Sequence, residues 1–254
     1  MTQINGLADY HSKLTSWVIA LDKRRDALSE YLLKLQQKYP SWRAGVNISV
    51  QNTDQFDARP EYFMLLAVIL QNAWLSFTHM RDQLCDRSYW AYVEPKFTSD
   101  QHLLEAISGY STMVNQYAIS QTVSITQTCL TAIVNSAPDT FSSAATIEFK
   151  NLYSHVLRNL SLSHRYEELF DIIRLVRNTN HTNGFFQPRL VGNLVKTYGG
   201  KEYQFKVGQS IKWYSDDMII SLFEWMPDAM WEIVTTPQVS GISEALLASV
   251  RTDQ

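Results

Sequence analysis

Residues 6–39 read GLADYHSKLTSWVIALDKRRDALSEYLLKLQQKY, and their spacing sets the fold class. Leu7, Tyr10, Leu14, Trp17, Val18, Leu21, Leu28, Tyr31, Leu32 and Leu35 recur at steps of three and four, which gathers them into one apolar stripe on a helix. Lys23, Arg24, Arg25 and Asp26 fall on the opposite side, as a solvated face does. Pro40 ends the run, since proline has no amide hydrogen to continue the ladder.

Composition agrees with a helical reading. The chain has 254 residues, of which 45% are hydrophobic and 19% charged. Glycine (9) and proline (7) are scarce against a usual share of about 12%. Disorder, collagen-like repeats and a turn-rich all-β fold are thereby excluded. Cys85 and Cys129 are the two cysteines, too few for a disulfide framework, and a reducing cytosol suits them. Residues 1–10 do not read as a signal peptide. The longest uninterrupted apolar run, residues 62–70, has nine residues, against roughly 20 for a membrane span. The expectation is a soluble, cytoplasmic protein with no membrane partner. A net charge of -3 and a pI near 6.1 argue against a bulk nucleic-acid coat but leave room for a local site.

Working outward, residues 41–60 read as a loop or one short strand, with alternation at Val46, Ile48 and Val50. A second helix is expected over 61–87, apolar almost all round in its first half. Ser99-Asp100 caps a third over 101–134, rich in Ser, Thr and Gln. Two more follow, over 140–162 and 164–180, the latter with a Leu169, Ile172, Ile173, Val176 stripe and an Asn183-Gly184 stop. Residues 194–198 and 201–207 alternate around Gly199-Gly200, the signature of a tight hairpin. A helix over 215–225 is expected to be interrupted by Pro227, and a short one over 243–250 finishes the chain. The predicted architecture is all-α: a helical bundle with one small β-hairpin near the C-terminus. It forms a single domain over 1–254, divided into an N-terminal helix and loop (1–60), core helices (61–184), the hairpin (194–207) and C-terminal helices (215–250).

Familiar catalytic motifs are missing. The sequence has no phosphate-binding loop, no G-x-G-x-x-G, no H-E-x-x-H and no C-x-x-C. No metal site and no cofactor are expected. One segment stands apart, Arg174-Leu175-Val176-Arg177-Asn178-Thr179-Asn180-His181-Thr182-Asn183-Gly184. Arg177 and His181 are four apart and share a helical face, with Arg174 on the same side. A guanidinium grips phosphate in a bidentate way, and a histidine near neutral pKa moves protons. Arginine and histidine without metal ligands suit RNA phosphodiester cleavage, with the 2′-hydroxyl as nucleophile. The same residues also suit a plain helix cap. Arg158 and His164, six apart, share a face poorly and read as structural. Between Lys150 and Lys212 there are ten Lys+Arg and four Asp+Glu, a local balance of +6 that favours an anion site. Lys196, Lys201 and Lys206 on the hairpin read as solubility charges.

The run Arg177-Asn178-Thr179-Asn180-His181-Thr182-Asn183-Gly184, with the following hairpin Tyr198-Gly199-Gly200-Lys201-Glu202-Tyr203-Gln204-Phe205, resembles the HEPN superfamily, especially its bacterial HEPN-like branch. The likeness covers about 35 residues, from Arg174 to Gly208. It implies a metal-independent endoribonuclease that works as a homodimer, in a toxin-antitoxin or anti-phage defence system. It further implies RNA as substrate and an antitoxin or defence partner. Carried over, Arg177 and His181 are the catalytic pair, Asn178 organises the site, and Arg174 and Asn183 contribute to substrate binding. The family pattern has four to six residues between arginine and histidine. Arg177 and His181 enclose three, whereas Arg174 and His181 enclose six. Either Arg174 is the active arginine, or the motif serves a non-catalytic module that binds RNA, a nucleotide or a protein partner.

Overall fold

The computed structural model describes residues 6–42, 57–94, 96, 99–141, 148–180, 185–187, 192–211 and 216–242. It is a helical bundle carrying one two-stranded antiparallel hairpin near the C-terminus. The helices are α1 (Leu7–Lys38), α2 (Ala58–His79), α3 (Arg87–Val93), α4 (Asp100–Ser136), α5 (Phe149–Asn159), α6 (Ser163–Asn180), α7 (Asp216–Thr235) and α8 (Pro237–Ser240). The strands are β1 (Leu194–Tyr198) and β2 (Lys201–Phe205). The expected strand over 46–50 and the last helix over 243–250 lie outside the described residues.

The α1 stripe packs as its spacing dictates. Tyr10, Leu14, Trp17, Val18, Leu21, Leu28 and Leu35 are buried, against α2 and α7. Helix α2 is central and packs on both α1 and α4. By length and composition the continuous stretch Ala58–Leu84 is apolar enough to cross a membrane. Here it builds the core, with Tyr62, Phe63, Leu66, Leu70 and Phe77 buried. One contiguous core takes side chains from every described helix except α3, and from β2.

Three boundaries in particular differ from the sequence reading. The second helix does not run straight to Arg87. It widens into a π-helical turn at Met80–Leu84, where the Cys85 amide donates to the Met80 carbonyl at 3.0 Å. Asp86 then caps a separate α3, its carboxylate accepting from the Ser88 amide at 2.8 Å and hydroxyl at 2.7 Å. The residues after α4 turn on the Ala137 carbonyl, which accepts from Thr140 and Phe141, so α5 begins at Phe149 rather than near Thr140. Pro227 does not interrupt α7, which runs through it to Thr235. An internal proline costs about 3 kcal/mol. Burial of Leu222, Phe223, Met226, Met230, Ile233 and Val234 around it outweighs that, at about 1.5–3 kcal/mol each.

The hairpin forms around the expected glycines, with β2 ending at Phe205 rather than Val207. Leu194 pairs with Phe205 and Tyr198 with Lys201, around Gly199 and Gly200 at φ 58° and 73°. Positive φ at both turn positions favours glycine. Gly199 has a second constraint, because a Cβ there would lie 2.8 Å from Cζ2 of Trp225 on α7.

A buried ion pair closes the bundle. Arg59 and Asp57 sit at the start of α2 with side chains 1% and 2% exposed. The Arg59 guanidinium also donates to the carbonyls of Val239 (2.8 Å) and Ile242 (3.3 Å) and lies 3.7 Å over the Trp42 ring.

Candidate functional site

The described part of the motif, residues 174–180, forms the C-terminal end of α6. That helix is fixed by an inner face of Leu169, Phe170, Ile172, Ile173, Leu175 and Val176, all buried. Its outer side carries Arg174, Arg177 and Asn178. Arg174 and Arg177 are half-buried and Asn178 is exposed. His181 and Asn183 lie outside the described residues.

The two arginines have different surroundings. Arg174 is held in a charge network that joins α5, α6 and β1. Its Nη2 donates to Asp171 Oδ1 at 2.9 Å, and its Nε donates to the Tyr153 hydroxyl at 3.3 Å. The Tyr153 hydroxyl donates to the same Asp171 oxygen at 2.5 Å. From the hairpin, Lys196 Nζ reaches Asp171 Oδ2 at 2.7 Å and Glu168 Oε1 at 2.9 Å. The Thr197 amide adds a bond to Glu168 Oε2 at 3.3 Å. Two cations therefore meet two carboxylates. Burial alone would push the Asp171 carboxyl up, yet the bonds from Lys196, Tyr153 and Arg174 outweigh it and hold it below the ordinary carboxylate value. Burial would likewise lower Arg174 and Lys196, but their partners keep both ammonium and guanidinium charges in place, with pKa values raised.

Arg177 is the contrast. It occupies the last turn of α6, and among the described residues no carboxylate pairs with it and no carbonyl accepts from its side chain. Beside it, Asn180 has its Nδ2 buried, with no hydrogen-bond partner among the described residues.

Several expectations change on this geometry. Lys196 is not a plain solubility charge, because it anchors the hairpin to α6 through Asp171 and Glu168. Lys201 and Lys206 are exposed, as solubility charges are. Arg158 and His164 are both exposed, and among the described residues no hydrogen bond joins them. Cys129 is buried; Cys85 is half-buried, and burial pushes its thiol up to about 11, which leaves it protonated at neutral pH. Among the described residues no group of three or more His, Cys, Asp or Glu is placed to hold a metal ion.

The sequence reading missed Tyr153, Asp171 and Glu168. Asp171 and Arg174 are three apart, so one ion pair was open to inspection. Tyr153 comes from another helix, and no local pattern marks it.

No family model, no curated protein and no solved structure matches this chain. The reading of the site therefore rests on its own chemistry and on the resemblance drawn from the motif.

Proposed function

We propose that the chain is a metal-independent endoribonuclease of the HEPN kind, with Arg177 and His181 as the working pair and Asn178 as the organising amide. The observation that carries this reading is the half-buried Arg177, whose guanidinium no acidic side chain neutralises among the described residues. A guanidinium without a carboxylate partner, at the edge of a rigid helix, is available to a phosphodiester. In the step this supports, the ribose 2′-oxygen forms a bond to phosphorus and gives its proton to a general base. The 5′-oxygen leaves with a proton, and a 2′,3′-cyclic phosphate remains. His181 serves the proton transfers, and Arg177 stabilises the charge that builds on the phosphoryl oxygens. Asn183 and Arg174 border the substrate, Arg174 from a fixed place beside Asp171. The resemblance sets such an enzyme as a homodimer beside an antitoxin or defence partner, and the two unpaired cysteines suit a cytoplasmic setting.

One observation favours a second reading. Arg174 is the arginine whose distance to His181 fits the family spacing, and its charge is already answered by Asp171. A motif with that arginine engaged suits a non-catalytic module that binds RNA, a nucleotide or a protein partner.

The deciding experiment incubates RNA with wild type, Arg177→Ala and His181→Ala in EDTA, alongside a gel-shift measurement. Cleavage that persists in EDTA, yields cyclic phosphate and vanishes in both variants supports the enzyme. Cleavage lost in EDTA and restored by magnesium overturns the mechanism. RNA binding without cleavage in the wild type selects the binding module.

A further inference from the structure

Residues 149–166 cover α5, the three-residue connection after it and the first turn of α6. They hold Lys150, Arg158, Arg165, His155 and His164, and no Asp or Glu. Arg165 is paired with Glu232 of α7. Lys150 and Arg158 are exposed, and among the described residues neither meets a carboxylate. Pairing is otherwise the rule for arginine in this chain. Of nine described arginines seven form ion pairs, and Arg158 and Arg177 are the two that do not.

Packing brings these cations onto one surface. Residues 160–162 turn α5 back along α6, and Tyr153 meets Asp171 and Arg174. Lys150 stands one turn before Tyr153 and Arg177 one turn after Arg174, so both stand at the same end of the antiparallel pair. Lys150, Ser154 and Arg158 recur at four-residue steps along the outer side of α5, with exposed Asn151 beside them. Arg158 lies about 12 Å beyond Lys150 along the helix axis. The carboxylates of α6 are engaged, Glu168 and Asp171 by Lys196 and Glu167 by the Ser154 hydroxyl. Glu148 precedes α5, at the positive end of its dipole.

We propose that the outer side of α5 is a second phosphate site, along which the RNA backbone runs from Arg177 past Lys150 to Arg158. It rests on the proposed RNA substrate and adds the stretch of strand that leads away from the scissile bond. Composition decides the occupant. The centre of a protein interface shows aromatic or aliphatic side chains, and a lipid-binding helix shows an apolar face. No large hydrophobic residue of 148–180 is exposed. Lysine, arginine and asparagine on such a face hold phosphate oxygens without reading base sequence. Over about 12 Å a nucleic-acid strand presents several phosphates, enough to engage both cations.

Fluorescence anisotropy with a labelled oligouridylate in EDTA, over a salt series, tests the site. The full chain carries His181→Ala, so that the RNA stays intact. Each phosphate contact on a single strand steepens the dependence of log affinity on log salt by about 0.7. Lys150→Gln and Arg158→Gln should each flatten the slope by about that amount, and the double variant by about twice as much, with an unchanged far-UV spectrum. Arg158→Lys should keep the slope, because a point charge suffices. Lys23→Gln, at an exposed site on α1, should also keep it. A double variant with the unaltered slope overturns the inference, even where Arg177 and His181 prove to cleave RNA. So does equal flattening by Lys23→Gln, or a chain that binds no RNA. Anionic vesicles bound with the same dependence on Lys150 and Arg158 would make the face a membrane site and overturn it too. Slopes that fall as expected, in a chain whose native form binds RNA and never cleaves it, uphold this site and overturn the enzyme reading instead.

Discussion

Replacing Asp171 with asparagine keeps the shape of the side chain and removes the charge on which Tyr153, Arg174 and Lys196 converge. Breaking a fully buried ion pair costs about 3–5 kcal/mol. Asp171 is 10% exposed, while Arg174 and Lys196 are each 19% exposed, so water partly re-solvates the two stranded cations. The amide oxygen still accepts from the tyrosine. The expected loss is therefore about 2–3 kcal/mol. In a chain of this length that lowers the melting temperature by roughly 4–10 °C. The sign of the pH dependence follows from the depressed carboxyl. Its stabilisation is present above the ordinary carboxylate pKa and is lost as pH falls through the lower folded value. Thermal melts of wild type and Asp171→Asn should differ by a constant gap at pH 5 and above, and converge in stronger acid. A variant that melts within about 1 °C of wild type at neutral pH would refute the network as a structural joint. A gap that persists undiminished well below the carboxylate range would refute the linkage argument.

Arg174→Ala should cost about 1–3 kcal/mol in urea unfolding, because it strips one partner from Asp171 and Tyr153, whereas Arg177→Ala should cost about 0.5 kcal/mol or less while removing RNA cleavage. Equal stability losses in the two would erase the distinction between an anchored and an available arginine. Gly199→Ala should destabilise by at least about 2 kcal/mol, since it adds a positive-φ penalty to a clash with Trp225, while Gly200→Ala, with open space around it, should cost about 1 kcal/mol. Calorimetry on the pair checks the order. Asn180→Leu should leave the melting temperature unchanged or raise it, because the buried Nδ2 has no bond to lose; a fall of several degrees would mean that the amide is satisfied.

The sequence disclosed what is local. The α1 stripe, the Ser99 cap and the glycine pair of the hairpin each follow from spacing or backbone freedom, and each appears in the structure. Pro227 misled because its penalty is local and its compensation is tertiary, coming from six buried side chains on the same helix. The site was legible to the same depth. Arg174 and Arg177 share a helical face, as their spacing requires. Their difference was not readable, because it depends on Tyr153 from α5 and Lys196 from β1, elements whose approach to α6 no short pattern encodes.

The Arg59 joint bears on how the chain folds as it leaves the ribosome. Asp57 answers the guanidinium charge from two residues away, but the carbonyls of Val239 and Ile242 emerge some 180 residues later. Until then the guanidinium keeps part of its hydrogen-bonding capacity turned to water, and the start of α2 cannot become fully dry. Docking of the Val239 and Ile242 carbonyls on Arg59 is then a long-range closure, because it joins segments some 180 residues apart. Nascent chains arrested before residue 237 should hold a packed but water-accessible α1–α2 pair, and release of a few further residues should seal it.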